Sequence, residues 1–384
     1  MTRPRLLFIS PVLPSAVGLG RQIRAWQWLQ SLARDHAVTL VIDDRHPPSA
    51  AVAAEVDHCI ALPAAGPLRR VLTRLKRLLP GAALPPGPPL MLPRVLLRRL
   101  PPVDVVFVFR LYMWPVAAAL LRAQPGLPVW LDLDDRESTT AARQATLARS
   151  RGWRLSAWKY DHYAWLAGRA EAALLPRMQR VFVCSELDRS ALASAFPPLL
   201  PEVVPNRYSG PLQDLPQQRC GRLLFVGSMG YMPNQDAVLW FAQEILPHIN
   251  RGRSRPLKLH VVGPGLPRWL QIELERLPHV VIEGFMAELV AAYRNADLVI
   301  CPIRAGGGTR IKILEAVAMG RAVVTTTVGQ EGLAFAADEI AVADDVEAFA
   351  AIAGALVDDP ERRAGMVDRA RGRLRRDYWL PPAA

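Results

Sequence analysis

Short runs of β-branched and aromatic residues alternate with longer stretches of helical periodicity almost throughout the 384-residue chain. That rhythm restricts the fold to βαβ units built on parallel sheets. The first strand is predicted at RLLFIS, 5–10, followed by a glycine-bearing loop, a helix from about Leu19 to Arg34 and a second strand, AVTLVIDD. Further strands are expected at DVVFVF, PVWLDLDD and RVFVCS. The segment 205–221, PNRYSGPLQDLPQQRCG, is rich in turn formers and poor in periodic apolar residues, which marks an interdomain linker. A second series then begins with RLLFVG at 222–227 and continues through LKLHVVG, HVVIEG, DLVICPI and AVVTT.

The predicted fold class is therefore α/β, with two Rossmann-like domains. The first spans 1–205, the linker 206–221 and the second domain 222–358, with a basic C-terminal helix over 359–384. The length suits two domains that each bury a core, and 51% hydrophobic against 21% charged residues excludes a largely disordered chain. Cys59, Cys184, Cys220 and Cys301 are scattered singly. That spacing fits neither a zinc site nor a disulfide scaffold and suits a reducing cytoplasm. The apolar run near the N-terminus is too short for a signal sequence or a membrane span.

The net charge of +12 suits anionic partners. Eight basic residues and no acid lie between Asp57 and Asp104, and RRAGMVDRARGRLRR forms a second cluster near the C-terminus; both invite an anionic surface. In RRVLTRLKRLL, Val71, Leu75 and Leu78 fall at helical spacing with Arg70, Arg74, Lys76 and Arg77 largely elsewhere around the helix. This is either an interfacial helix on the inner face of a cell membrane or a packed helix with a basic exterior. The proline-rich segment 79–93 excludes a continuous helix. The aromatic residues of GWRLSAWKYDHYAWLAGRA could stack on nucleic-acid bases, but the spacing of Trp158, His162 and Trp165 is that of a helix packed in a core, which is the reading adopted. With no reading motif, no nucleic-acid partner is expected.

The segment 306–320, GGGTRIKILEAVAMG, is expected to be a crossover helix with Thr309 as N-cap and Gly320 as terminator. Glycines 306–308 allow close approach of backbone to a ligand, and the free N–H groups of a first helical turn attract an anion such as phosphate. Arg310 and Lys312 sit where the helix dipole disfavours positive charge unless something negative is bound. Glu315 shares a stripe with Lys312 and is placed to accept hydrogen bonds from sugar hydroxyls. The plainer alternative is an amphipathic helix with solvated Arg, Lys and Glu.

In order and spacing, LLFVGSMGYMPNQDAVLWFAQEILPHI, VVGPG, VIEGF, ADLVICPIRAGGGTRIKILEAVAMGRAVVTT and GQEGL resemble the C-terminal donor domain of glycosyltransferase family 4. The N-terminal half is similar more loosely, through SPVLPSAVGLGRQIRAWQWLQSLARDHAVTLV, DLDDRES, VFVCSELDR and VVPN. The resemblance implies the GT-B architecture, two Rossmann-like domains facing across a cleft with a C-terminal helix that often crosses back. It also implies roles. Gly227 and Ser228 would touch the donor diphosphate, and Gly284 and Phe285 would lie beside the nucleotide base, with a core position the alternative for Phe285. Gly308, Thr309, Arg310 and Lys312 would hold the diphosphate and Glu315 the ribose. The family's usual motif has another glutamate eight positions before Glu315, where this chain has Gly307. On the acceptor side, Gly18, Gly20, Arg21 and Arg24 either bind a phosphate of a lipid-linked acceptor or form a solvated arginine pair. Asp132, Asp134 and Asp135 end a strand; Asp134 or Asp135 either approaches the acceptor hydroxyl or caps a helix.

The catalytic set expected from this likeness is Arg310, Lys312 and Asp134, with no metal and no cofactor beyond a nucleotide-diphosphate sugar as co-substrate. The implied function is a retaining, metal-independent transfer of a hexosyl or related group to a hydroxyl of a glycan or lipid-linked acceptor, in synthesis of a bacterial surface polysaccharide or glycoconjugate. A nucleotide-sugar epimerase, a phosphorylase of the same fold and a catalytically silent membrane-associated scaffold remain the alternatives.

Overall fold

A computed structural model describes residues 3–43, 46–63, 73, 85–87 and 92–381. The chain divides into two compact units, Met1–Pro205 and Asn206–Ala384. The basic residues Arg70, Arg74, Lys76 and Arg77 lie outside the described residues, as does most of the proline-rich segment.

The first unit holds β1 (Arg5–Ser10), β2 (Ala37–Ile42), β3 (His58–Ala61), β4 (Val105–Phe109), β5 (Val129–Asp134), β6 (Arg180–Val183) and β7 (Glu202–Val203). They form one parallel sheet in the order β3-β2-β1-β4-β5-β6-β7. These strands read as unbroken apolar runs because helices cover both faces of a parallel sheet. Leu7, Val108 and Leu131 pack on one side, while Phe8, Phe107 and Phe182 meet Trp28 of the helix Gly20–Asp35 on the other.

The second unit holds β8 (Arg222–Val226), β9 (Lys258–Val262), β10 (Val280–Gly284), β11 (Leu298–Cys301), β12 (Val323–Thr325) and β13 (Ala341–Val342), parallel in the order β10-β9-β8-β11-β12-β13. In each sheet the strand order reverses once, between β1 and β4 and between β8 and β11. At such a reversal the loops leaving the C-terminal strand ends part to opposite sides and open a crevice for ligands.

Several expectations are corrected. The helix after β11 runs Ile311–Ala318, so Thr309 does not cap it; the flanking residue is Arg310, whose side chain makes no capping bond. Gly320 does terminate it, at φ +71° with its N–H on the carbonyl of Val317. The stripe Trp158, His162, Trp165 does not enter the core. The helix Arg154–Leu174 buries Leu166, Ala167, Ala170 and Leu174 instead, and leaves Trp158 71% and Trp165 49% exposed.

The C-terminal basic cluster is only in part a surface. Arg363 and Arg371 of the helix Pro360–Arg373 are buried, and Arg369 and Arg373 pair with Asp338 and Glu339. The segment 206–221 is not a loose tether either. Arg371 bonds the carbonyl of Gln213 and the carboxylate of Asp214, Arg321 the carbonyl of Pro216, and Arg363 that of Gln218. No helix among the described residues is long and apolar enough to cross a membrane.

Candidate active site

In the second unit the loops that follow β8, β9 and β10 interlock. The Gly227 N–H donates to the carbonyl of Val262 at 2.9 Å and the Gly263 N–H to that of Gly284 at 2.7 Å. The loop after β11 carries the glycine run and delivers Arg310 and Lys312 to the strand order's reversal point beside Gly227. A Cβ on Gly227 would lie 2.6 Å from Lys312 Nζ, so glycine is what lets the lysine reach the loop. Gly306 and Gly308 have φ of +127° and +68°, and a Cβ on Gly306 would press on Tyr231 Oη and Arg310 Nη2.

The electrostatics of this site are unbalanced. Arg310 is 8% exposed, and its Nη1 donates to the carbonyls of Gly307 and Gly308. Its Nε and Nη2 are buried with no hydrogen-bond partner. Lys312 donates from Nζ to Asn234 Oδ1 at 2.8 Å and lies 4.3 Å from the centre of the Phe225 ring. Burial, helped by the charge of Arg310, pulls the Lys312 ammonium down to about 8. Among the described residues neither cation makes an ion pair. A buried guanidinium with unmet donors is costly, and an anion placed against it would relieve both groups at once.

Glu315, one turn on, accepts a hydrogen bond from the hydroxyl of buried Tyr293 at 3.0 Å. Burial raises its carboxyl, with Tyr293 and Lys312 opposing. The Thr309 hydroxyl receives the side-chain amide of Asn206 at 2.7 Å. Ser228 is held through its carbonyl by Asn234 Nδ2 at 2.8 Å. Gly284 adopts φ +71° and Phe285 stands 72% exposed, so Phe285 is not core. Sequence reasoning missed Asn234, Tyr293 and Asn206. Asn234 lies in the polar first half of the helix Met232–Trp240, beside Gln235 and Asp236, and nothing in the sequence singles it out.

In the first unit, Arg24 and Arg21 part company. Arg24 is buried and grips both oxygens of Asp132 at 2.6 and 2.7 Å, with a third bond to the carbonyl of Val204. Trp28 Nε1 also donates to Asp132. Arg24 thus forms a structural ion pair that orders the end of β5, whereas Arg21 is exposed and lies 5.9 Å from the Tyr112 ring centre. Gly18, at φ +114°, and Gly20, the first helical residue, shape the loop before it.

Asp134 sits at φ +63°, a conformation non-glycine residues seldom adopt, with its carboxylate 3.6 Å from Arg24 and 3.5 Å from Arg110. Asp135 does not face outward. Burial raises its carboxyl, but bonds from Arg110 and the Thr140 hydroxyl outweigh that and hold it low. Glu137 lies 3.5 Å from Arg110 Nε; burial and the neighbouring carboxylates lift it to about 7. Arg110, itself at φ +72°, and Glu137 were not foreseen. The three aspartates form one network with two buried arginines: Asp132 and Asp134 share Arg24, and Asp134 and Asp135 share Arg110.

Residues 220–359 match the family model described as Glycosyl transferases group 1. No curated protein matches the sequence. Among solved structures, TarM is 13% identical, covering 71% of this chain and 52% of its own, with a TM-score of 0.54; the chain spans about half its length. The sucrose-phosphate synthase of Thermosynechococcus elongatus is 14% identical over 97% of this chain and 94% of its own, with a TM-score of 0.68. HepE of Anabaena, in complex with UDP and glucose, is 13% identical over 98% and 96%, with a TM-score of 0.64. With residues 220–359 matched to the group 1 glycosyl transferase model, two parallel sheets in two units, and a fold shared with these solved structures, the chain is an α/β protein of the GT-B glycosyltransferase fold.

Proposed function

We propose that the chain is a retaining, metal-independent glycosyltransferase that moves a hexosyl or related group from a nucleotide-diphosphate sugar to a hydroxyl of a glycan or lipid-linked acceptor. Its place would be the synthesis of a bacterial surface polysaccharide or glycoconjugate, at the cytoplasmic face of a membrane carrying anionic lipid. The observation that carries the reading is the pair Arg310 and Lys312: two cations without a carboxylate partner, one with buried donors unmet, at the reversal point of the second sheet.

In this reading Arg310 Nε and Nη2 take the diphosphate oxygens, and Lys312 adds charge as the leaving group departs, which stabilises the developing anion electrostatically. Gly227 and Ser228 approach the diphosphate through backbone, Gly284 and Phe285 border the base, and Glu315, oriented by Tyr293, accepts from the ribose hydroxyls. Asp134 and Arg21 belong to the acceptor side.

UDP-glucose is the first donor to try, since HepE is bound to UDP and glucose. Calorimetric titration of a nucleotide-sugar panel should find a donor whose affinity drops on the order of 100-fold in Arg310→Ala, the loss of charged hydrogen bonds, and falls in Glu315→Ala. Equal donor affinity in wild type and Arg310→Ala would refute the site. Product analysis separates transfer with retention from epimerisation, which needs no acceptor.

A further inference from the structure

The helix Arg154–Leu174 turns a ladder of planar side chains away from its own unit. The ring centres of Trp158 and His162 are 6.0 Å apart with planes at 6°, and those of His162 and Trp165 are 5.8 Å apart at 24°. The Arg169 guanidinium closes the ladder 4.7 Å from the Trp165 ring centre. Steps of four, three and four residues place all four side chains on one stripe, opposite the buried Leu166, Ala167, Ala170 and Leu174. Leu155, 85% exposed, continues the stripe by a turn.

Two tryptophans and a leucine in line on a surface mark a place where something docks. Ring orientation and charge say what. The ring faces are turned on one another and on Arg169, so the middle of the ladder has no open face on which a base or a sugar could stack. Arg154 and Lys159 stand exposed on the same helix. Of the helix's two acids, Asp161 is paired with Arg149 at 2.6 Å and Glu171 is buried. Arg154 and Arg169 fall on the stripe, and Lys159 borders it with its ammonium over the Tyr160 and Tyr163 rings; the face is thus apolar with a cationic edge, the combination that seats a helix among acidic headgroups with tryptophan at the water boundary.

We propose that the stripe Leu155, Trp158, His162, Trp165, Arg169 is the surface by which this protein lies on an anionic lipid bilayer. The inference rests on the membrane-face part of the proposed function and names the residues that make the contact.

The test is co-sedimentation of the full chain with vesicles of phosphatidylcholine alone and of an equimolar mixture with phosphatidylglycerol. Wild type should pellet with the mixed vesicles, and Trp158→Ser/Trp165→Ser should bind about tenfold more weakly, as should Arg154→Gln/Lys159→Gln. Because these side chains are exposed, circular dichroism and the melting temperature should not change. Wild-type binding that both variants retain would overturn this surface while leaving a membrane role standing. Wild type that ignores both vesicle types would overturn the membrane role as well. A wild-type dimer by size exclusion that the tryptophan variant splits, or oligonucleotide binding that it abolishes, would assign the stripe to another partner and overturn the proposal.

Discussion

Lys312 carries a pH dependence whose sign follows from its surroundings. Burial and the charge of Arg310 hold the free protein's ammonium at about 8, below its ordinary 10.5. The cost of keeping it charged is present below that pH and is relieved as pH rises from about 8 toward 10.5. A bound diphosphate would pull the value back up, so donor binding above pH 8 takes up a proton and weakens as pH rises, by at most about tenfold per unit for one group. Calorimetry between pH 7 and 9.5 with a nucleotide sugar, in buffers of different ionisation heat, should show this uptake. Lys312→Arg, which stays charged throughout, should flatten the profile; a flat profile in wild type would show that the lysine does not meet the anion. At this scale the sequence was legible where chemistry is local. Arg310, Lys312 and the glycines sit in one short run. Asn234, Tyr293 and Asn206 escaped because the residues they hold lie 78, 22 and 103 positions away, a proximity that only the folded sheet creates.

Elements were readable in proportion to how far local pattern determines them. The long strands announced themselves as apolar runs because both of their faces are buried. β7 and β13, two residues each, and the edge strand β3 carry too little pattern to stand out. In the helix Arg154–Leu174 the period was right and the face wrong. Alanines and leucines cover the sheet side while tryptophans face out, and spacing alone does not say which apolar stripe goes inward. The loops at the strand ends are tighter than any pattern reveals. Gly263 has φ +144°, and a Cβ there would sit 1.9 Å from the carbonyl oxygen of Gly227. Gly263→Ala should therefore cost about 3 kcal/mol or more, through strain and displacement of the loop after β8, and should weaken donor binding with it. Gly252→Ala, at φ +76° with nothing near its Cβ, should cost only about 1 kcal/mol. Thermal melts with donor titration compare the two, and equal losses would mean the loop contact is not what matters.

At the scale of the whole molecule, the net charge of +12 is not all available to partners. Arg321, Arg363 and Arg371 are buried and serve as clamps, saturating carbonyls left open at helix ends and along 213–218. Burial and the charge of Arg363 pull Arg321 down to about 10, and burial lowers Arg363 as well. Arginine suits this task because its planar fork spreads five donors over three nitrogens in fixed directions, whereas an ammonium has three on one nitrogen. The composition of 205–221 predicted a linker, and prolines and glycines do keep it out of helix and sheet, but the residues that tie it down come from far along the chain. Arg371 shows which of its contacts count. Its link to Asp214 reaches a fully exposed side chain, so Asp214→Asn should change stability by no more than about 0.5 kcal/mol. Arg371→Met leaves the carbonyl of Gln213 without its donor and strips a second one from those of Val317 and Ala318, which keep the N–H groups of Gly320 and Gln213, and should cost on the order of 3 kcal/mol once the lost packing of the buried side chain is included. Arg371→Lys should recover little of it. Limited proteolysis should then cut the Arg371→Met protein within 206–221 faster than wild type, while the Asp214→Asn protein is cut at the wild-type rate. Equal cleavage of all three would mean that packing, rather than the arginine fork, holds the segment in place.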